Sequence, residues 1–237
     1  MGEYRDEVPS SEPETAPDVS LRRDARDNLE RVITAATEVF ASQGLSATLA
    51  DVARHAGVGV GTVYRRFASK DDLIYEVIQS RFKAAEQLVI ETSETPDAWA
   101  GFVRFFEIST QELVSDKGLR EFVMGGYTES LGWSRGTPPD RLVGLIARTR
   151  EAMGHHLAEL VRRTKETGRL RADFEASDMM VLSLSVQATI GFGGQAHPEL
   201  YRRTLGFILD GLLASRTHAT ELPVPALSND ELDSTVR

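Results

Sequence analysis

The stretch TLADVARHAGVGVGTVYRRF, residues 48–67, decides the fold prediction for this chain. Thr48 stands just before an apolar-periodic segment, and Asp51 follows it by three residues, which is the spacing of a capping box at the start of a helix. Gly57 is placed to end that helix, and residues 59–67 have the length of a second short helix. Two short helices joined by a tight turn that contains glycine form a helix-turn-helix, whose second helix enters the major groove of DNA.

Glycines spaced as in this stretch also occur in loops that hold the phosphates of a nucleotide. A P-loop follows a β-strand and places Lys-Ser or Lys-Thr directly after its last glycine. Here a helix precedes, and Gly61 is followed by Thr62 and Val63. A dinucleotide fingerprint needs a third glycine in a βαβ unit, and the chain shows no credible strand alternation. The context therefore excludes a phosphate loop.

The second helix of the motif is predicted to present an unusual outward surface. With residues 100° apart around the helix, Val63 and Phe67 face the core. Gly61, Thr62 and Arg65 point away from it. A glycine costs a helix about 1 kcal/mol of propensity relative to alanine. That cost is reasonable if the backbone must approach a groove of DNA closely.

Each outward residue has a DNA contact that its chemistry allows. Arg65 can donate two hydrogen bonds to guanine O6 and N7, although a phosphate contact or a plain surface charge is an equal alternative. The hydroxyls of Thr62 and Tyr64 can reach phosphate oxygens, or Tyr64 can lie mostly in the core with a hydrated hydroxyl. Lys70 is another candidate phosphate contact, because it lies in the first turn of the fourth helix and helix N-termini attract phosphate. The predicted DNA-binding residues are Thr48, Val60, Gly61, Thr62, Tyr64, Arg65, Arg66 and Lys70.

Apolar residues at helical spacing recur along the rest of the chain and predict an all-α protein. A first helix runs from about Arg22 to a stop at Gly44, and Ser69 with Asp72 caps a fourth helix. Breaks rich in Gly, Pro or charge separate further helices. These are predicted at about 97–115, 118–125, 138–167, 176–193 and 198–216.

Charge is distributed unevenly along the chain. The formal net charge is −9, but most of it lies in the two ends. Residues 1–20 carry six acids against one arginine, and residues 217–237 carry four acids against one arginine. Residues 44–70 carry four basic side chains against Asp51 alone, and local charge decides what a surface attracts. The acidic N-terminus does not read as a secretory signal, and with Cys 0 the chain has no disulfides. We expect a cytoplasmic protein.

The stretch from Val32 to Leu73 resembles the DNA-binding domain of the tetracycline-repressor (TetR) family, most clearly in three places. These are AGV at 56–58, GTVYRRF at 61–67 and SKDDL at 69–73. The small pair Gly59 and Val60 departs from the family pattern, in which polar residues often stand there. The resemblance implies an N-terminal three-helix helix-turn-helix bundle and a larger C-terminal helical domain. Polar, acidic, proline-containing composition predicts a disordered tail at 1–20 and a flexible tail at 217–237. Between them lie the predicted DNA-binding domain (21–90) and the effector-binding and dimerisation domain (95–216).

In the second domain the residue signals are weaker. Aromatic and methionine side chains form cores more often than pockets, but they also line apolar effector sites. The ligand-binding candidates are Phe105, Phe106, Phe122, Trp133, Met153, His156 and Met179. The pair His155 and His156 with Glu159 does not predict a metal site, because adjacent residues point about 100° apart on a helix. The resemblance implies that the last two helices pair with their copies in a homodimer. The corresponding residues are Leu182, Val186, Ile190, Leu205, Ile208 and Leu212.

These features predict a dimeric, ligand-responsive transcriptional regulator, and a repressor more readily than an activator. Its partners would be a near-palindromic DNA operator and a largely apolar small-molecule effector, without a membrane. No cofactor, metal or catalytic residue is predicted. Two alternatives stay open: a nonspecific architectural DNA-binding protein, and an enzyme housed in the C-terminal helical domain.

Overall fold

The computed structural model describes residues 16–123, 139–194, 196–215 and Pro225. Their regular structure is helical, apart from one isolated β-bridge between Leu170 and Leu213, as the sequence predicts. The helices in chain order are α1 (Ala16–Gln43), α2 (Leu49–Ala56), α3 (Val60–Arg66), α4 (Lys70–Ser93), α5 (Ala98–Ser115), α6 (Lys117–Val123), α7 (Asp140–Glu166), α8 (Ala176–Gly193) and α9 (Leu200–Leu212). No helix in these ranges is both long and apolar enough to cross a membrane.

Local capping interactions fix the helix-turn-helix. Thr48 Oγ1 accepts from the Asp51 backbone N–H at 3.2 Å, and an Asp51 carboxylate oxygen accepts from the Thr48 N–H at 2.9 Å. This reciprocal pair is the predicted capping box. Gly57 ends α2 with φ 67°, a left-handed conformation that glycine adopts at little cost. The turn after it delivers the chain directly into α3.

The N-terminal core joins α1–α4 with parts of α6 and α7. Phe40 and Val52 are buried in it together with Val63, which lies on the inner face of α3. Fully burying a side chain of this size contributes roughly 1.5–3 kcal/mol. Packing of Val63 in this core fixes the inner face of α3. The orientation of the outer face of α3 is therefore fixed as well.

A second core lies between α5, α7, α8, α9 and the end of α4. Phe102 occupies its centre, with its ring 5.6 Å from Phe174 and 6.4 Å from Phe106. At Gly101 a Cβ atom would lie 2.4 Å from the Thr92 carbonyl oxygen. Only glycine at this position lets α5 approach the end of α4 so closely.

The helix α4 belongs to both cores. Its N-terminal part carries Leu73 and Ile78 in the first core, and its C-terminal part carries Val89 in the second. From α7, Arg141 pairs with Glu76 at 3.2 Å and lies over the Tyr75 ring at 3.7 Å. The two domains therefore share helix α4, and Arg141 of α7 contacts its N-terminal part.

Two predicted boundaries need correction. Helix α1 begins at Ala16, so residues 16–20 are helical and not part of a disordered tail. Pro17 and Asp18 suit the first turn of a helix, which explains the early start. Helix α9 ends at Leu212 and not near residue 216, because the Leu213 backbone extends to pair with Leu170. Residues 1–15 and the predicted acidic tail 217–237, except Pro225, lie outside the described residues.

Candidate DNA-binding helix and internal cavity

Most of the predicted DNA-contacting residues lie on α3, on or beside its outer face. Tyr64 is 57% exposed and Val60 is 44% exposed. Arg65 and Arg66 are exposed as well. On the opposite face Val63 and Phe67 are buried, so the predicted division into inner and outer faces is confirmed.

The glycines of this region have no packing reason to be glycine. A Cβ atom added at Gly59 or at Gly61 would meet nothing within 4 Å. Neither residue adopts a left-handed backbone conformation, because positive φ values in the described residues occur at other glycines. Packing within the chain therefore does not require glycine at either position, although Gly59 also stands at the N-cap of α3, where glycine is favoured.

Arg65 is held in place by a neighbour on its own helix. One of its terminal nitrogens donates to Thr62 Oγ1 at 3.1 Å, across one turn of α3. Both side chains border a shallow groove between α3 and the Asn28–Val32 segment of α1. The guanidinium group is thus presented from a defined position beside the start of the recognition helix.

Thr48 and Lys70 lie at the starts of α2 and α4. The Thr48 hydroxyl already donates to an Asp51 carboxylate oxygen at 2.6 Å, so its capping role is established and its phosphate contact stays a prediction. Partial burial lowers the pKa of the Lys70 ammonium, while the nearby carboxylates of Asp71, Glu121 and Asp51 act in the opposite direction. Partial burial removes some of the water around this ammonium group. A DNA phosphate beside it would stabilise its charged form.

A cavity of about 280 Å³, partly open to solvent, lies between α4, α5, α6 and α7. Most of its lining is apolar, and polar side chains enter it from α4, α5 and α7. The apolar lining includes Phe82, Leu88, Leu113, Leu119, Val123 and Met153, and the polar lining consists of Arg81, Ser109, Glu112 and Thr149. A concave apolar site with a few polar groups is the usual form of a small-molecule site.

The structure brings one of the predicted ligand-binding residues, Met153, to this cavity. Phe105, Phe106 and Met179 lie in the second core. Phe122 is buried in the first core, where its ring centroid lies 5.8 Å from that of Phe82, so it supports the cavity wall from behind. The structure does not place His156 among the cavity-lining residues, and Trp133 lies outside the described residues.

Sequence reasoning missed the polar side of the cavity. Arg81 pairs with Asp116 at 2.9 Å, and the Asp116 side chain is almost fully buried. The other oxygen of that carboxylate accepts from the Leu119 N–H at 2.8 Å, which caps α6. A pattern of one arginine and one aspartate 35 residues apart carries no signal, since only the meeting of α4 with the α5–α6 junction brings them together.

Helix α6 contacts both the cavity and the DNA-binding domain. Leu119 and Val123 line the cavity, while Glu121 accepts from the Leu45 backbone N–H at 2.7 Å, in the turn between α1 and α2. Gly118 lies against α1, where a Cβ atom would be 2.9 Å from the Phe40 carbonyl oxygen. A shift of α6 would therefore displace the turn between α1 and α2, which leads into the helix-turn-helix.

The last two helices expose a set of apolar side chains. Val181 is 61% exposed, Phe207 is 55% exposed, and Met180 and Phe192 are also on the surface. Of the predicted dimer residues, Val186, Leu205 and Leu212 are buried within the chain, and Leu182, Ile190 and Ile208 are partly buried. The exposed apolar surface is thus offset from the predicted set around the same two helices.

The described residues contain no group of three or more His, Asp or Glu side chains that could hold a metal ion. The rings of His155 and His156 lie 5.6 Å apart in an edge-to-face arrangement. Among the described residues, the candidate functional sites are the outer surface of α3 and the cavity between α4, α5, α6 and α7.

A helix-turn-helix with a polar outer face, joined to a helical domain with its own cavity, defines a DNA-binding transcriptional regulator. Residues 32–77 match the family described as "Bacterial regulatory proteins, tetR family", and residues 97–214 match "Transcriptional regulator SbtR-like, C-terminal domain". The chain belongs to the TetR family of bacterial transcriptional regulators. The resemblance in the helix-turn-helix sequence is thus confirmed and extended to the second domain.

Similar proteins fall in the same class. An HTH-type transcriptional regulator of Staphylococcus aureus (strain USA300) is 38% identical over 60 residues, which are 25% of this chain and 32% of that protein. The chain thus matches about a third of the length of such curated relatives. A TetR-family regulator from Agrobacterium tumefaciens superposes with a TM-score of 0.62 at 13% identity, over 80% of this chain and 100% of that one. FadR from Bacillus subtilis, solved with stearoyl-CoA, gives 0.55 at 17% identity, over 78% and 99%.

Proposed function

We propose that this regulator is a homodimeric repressor that binds a near-palindromic operator and is released by a small-molecule effector. The observation that carries the proposal is the outer face of α3, where exposed Tyr64, Arg65 and Arg66 stand beside two glycines without a packing role. Such a surface suits a helix that enters a groove of DNA, with arginine as the base-reading or phosphate-binding group.

The dimer is supported by the exposed apolar side chains of α8 and α9. A short recognition helix reads only a few base pairs, so one half-site provides too little affinity for a specific operator. Two copies related by a two-fold axis would place their recognition helices roughly 34 Å apart, in successive major grooves. Burying Val181 and Phe207 in that interface would remove a large apolar surface from water.

The effector is supported by the cavity and by its connection to the DNA-binding domain. Helix α4 begins at Lys70, beside the DNA-binding helix, and its middle part lines the cavity with Arg81, Phe82 and Leu88. A ligand that displaces α4 or α6 would change the spacing of the two recognition helices. A coupling free energy of about 1–3 kcal/mol is enough to weaken operator binding measurably. The structure of Bacillus subtilis FadR with stearoyl-CoA shows that a protein of this fold binds a ligand.

The experiment that tests the proposal is selection of bound sequences from random DNA at physiological salt, with the wild type and Arg65→Ala. We expect an enriched inverted repeat, with the preference at one base position relaxed in the variant because a bidentate contact is worth about 1–3 kcal/mol of discrimination. Enrichment of no sequence, with binding that falls steeply as salt rises, would instead indicate a nonspecific architectural protein. A reporter gene under the selected operator then separates repression from activation.

We also propose that the chain has no catalytic activity. The polar side chains of the cavity are Arg81, Ser109, Glu112 and Thr149, and the Ser109 hydroxyl donates to the Phe105 carbonyl oxygen. A hydroxyl nucleophile needs an adjacent base to accept its proton, and the Ser109 proton is directed to the backbone. Turnover of a bound small molecule by the purified protein, followed by mass spectrometry, would contradict this proposal.

A further inference from the structure

The groove beside the recognition helix carries two arginines without acidic partners. It lies between α3 and the Asn28–Val32 segment of α1, and Arg65 and Arg66 line it from α3. Both arginines are exposed. Arg65 donates to Thr62 Oγ1, and neither arginine forms an ion pair with another described residue. An anion can therefore enter this groove without displacing a carboxylate from it.

The neighbouring turn of α1 does not neutralise the groove. Its two carboxylates, those of Asp27 and Glu30, lie 4.0 Å and 3.9 Å from the Arg26 guanidinium group on the same helix. These acids thus interact along α1 itself. Within the part of the chain that the structure describes, the positive charge of the groove stays uncompensated.

Acids that can compensate this charge stand at the start of the chain. Residues 1–15 carry five acids against Arg5, and three of those acids, Glu3, Asp6 and Glu7, form an acidic cluster within residues 3–7. The segment leads directly into α1 at Ala16. Because the cluster is tethered to the helix that borders the groove, its effective concentration there is high.

The length of the segment suits a return to the groove. From Ala16 to Asn28, the first residue of α1 that borders the groove, the helix rises about 18 Å at 1.5 Å per residue. An extended chain covers about 3.3 Å per residue, so roughly six residues, 10–15, are enough to run back along α1. The acidic cluster then arrives at the two arginines.

We propose that the acidic cluster binds the groove beside α3 in the free protein and competes there with the phosphates of DNA. Carboxylates and phosphates are both anions that arginine binds through parallel N–H groups. A competitor that must leave before any DNA enters weakens binding to an operator and to random DNA by the same factor. The inference goes beyond the proposed function, because it assigns a role to residues 1–15, which lie outside the described residues.

Neutralising the acidic cluster tests the competition without shortening the chain. The variant is Glu3→Gln/Asp6→Asn/Glu7→Gln. At low salt we expect it to bind a random-sequence duplex about fivefold more tightly than the wild type does, which is the effect of two exposed ion pairs. The difference should shrink at about 200 mM salt, because salt screens exposed charges. Fluorescence anisotropy of labelled DNA measures both affinities.

The matched control changes the net charge by the same amount at the other end of the chain. It is Asp230→Asn/Glu231→Gln/Asp233→Asn. We expect this control to bind random DNA as the wild type does. An equal gain in both variants would mean that net charge alone sets the affinity, and no gain in the first variant would mean that the tail does not compete; either result overturns the proposal.

A second measurement detects the contact without DNA. The chain has no cysteine, so Ser10→Cys carries a single nitroxide label close to the acidic cluster. At low salt the label should broaden the amide NMR signals of α3. The signals should sharpen when the acidic cluster is neutralised in the same labelled protein, and also when salt is added. Signals of α3 that stay sharp at low salt would overturn the proposal.

The two measurements together keep this inference separate from the proposed function. Broadened α3 signals in a protein that binds no DNA would contradict the proposed function and the competition, and would leave the contact of the tail intact. Broadened signals without a gain in DNA affinity on neutralisation would overturn the competition alone. Sharp signals in a protein that selects an operator would leave a regulator whose recognition helix is open in the free state.

Discussion

Single residues in the DNA-binding domain serve stability and recognition separately. Asp51 caps α2, and its contacts are within the domain. A Cβ atom added at Gly61 would meet nothing within 4 Å. One residue can therefore be tested for its contribution to folding and the other for its contribution to DNA binding.

The capping carboxylate of Asp51 makes stability depend on pH. Hydrogen bonds from Thr48, followed by the Arg54 contact, lower the pKa of Asp51 to about 2. A folded-state pKa below the unfolded value means that the stabilisation is complete above about pH 4 and is lost as the pH falls toward 2. We expect Asp51→Asn to remove that part of the pH dependence. Chemical denaturation between pH 5 and pH 2 measures it, and the prediction fails if the two proteins lose stability in parallel.

Gly61→Ala separates helix propensity from DNA contact. The added methyl group has open space, so the free protein should gain up to about 1 kcal/mol of stability. Operator binding should weaken, because the methyl group would stand between α3 and the DNA. Gly154→Ala is the matched control, since Gly154 is an exposed glycine within α7 that is equally unobstructed. It should gain similar stability and bind the operator as the wild type does. Denaturant titration and anisotropy measure the two effects, and unchanged operator affinity in Gly61→Ala would contradict a close approach.

Helices were predictable from the sequence to different degrees, and the reasons are local. The starts of α2 and α4 follow from the capping boxes at Thr48 and Ser69, where a hydroxyl and a carboxylate three residues later specify the boundary. The cavity was not predictable, because it depends on how α4 packs against α5, α6 and α7. Aromatic content pointed to Phe105 and Phe106, which fill a core, whereas nothing in the sequence singles out Arg81 as a cavity-lining residue.

Helix α6 acts as the element that joins the two halves of the molecule. It is only seven residues long, yet Leu119 lines the cavity and Glu121 holds the turn before α2. Its close approach to α1 depends on Gly118, where even a methyl group would contact the Phe40 backbone. In the proposed mechanism, the coupling between ligand and DNA would therefore depend on packing at Gly118.

Gly118→Ala tests this contact. The Cβ atom would lie 2.9 Å from the Phe40 carbonyl oxygen, which cannot rotate away as a flexible side chain would. We expect the unfolding free energy to fall by about 1–3 kcal/mol, as for other overpacked sites. Gly154→Ala, which should gain stability, shows what the same substitution does without the clash. A Gly118→Ala protein at least as stable as the wild type would mean that α6 can move away from α1 at no cost.

At the scale of the whole molecule, the exposed apolar side chains of α8 and α9 would form the interface of the proposed dimer. Met180, Val181 and Phe207 lie around these two helices, while the buried side chains of the same helices close the second core. Each helix thus packs one face in its own domain and leaves another face exposed, which a second copy would cover in the proposed dimer. The two recognition helices could be held at a fixed separation only if this surface is rigid, which the shared core provides.

Phe207→Glu should convert the proposed dimer to a monomer. Within one chain the change is mild, because Phe207 is 55% exposed and Arg203, one helical turn earlier, can pair with the new carboxylate. In a two-fold interface two such carboxylates would be buried near each other at a cost of several kcal/mol. Val143→Glu is the control, since Val143 is 46% exposed near the start of α7, where Leu142 and Leu145 pack in the first core. Sedimentation equilibrium should show a monomer for Phe207→Glu and a dimer for Val143→Glu, with operator affinity lost in the first alone. If Phe207→Glu and Val143→Glu both remain dimers, the interface lies elsewhere. If the wild type is a monomer and still binds an inverted repeat, the two half-sites are read independently.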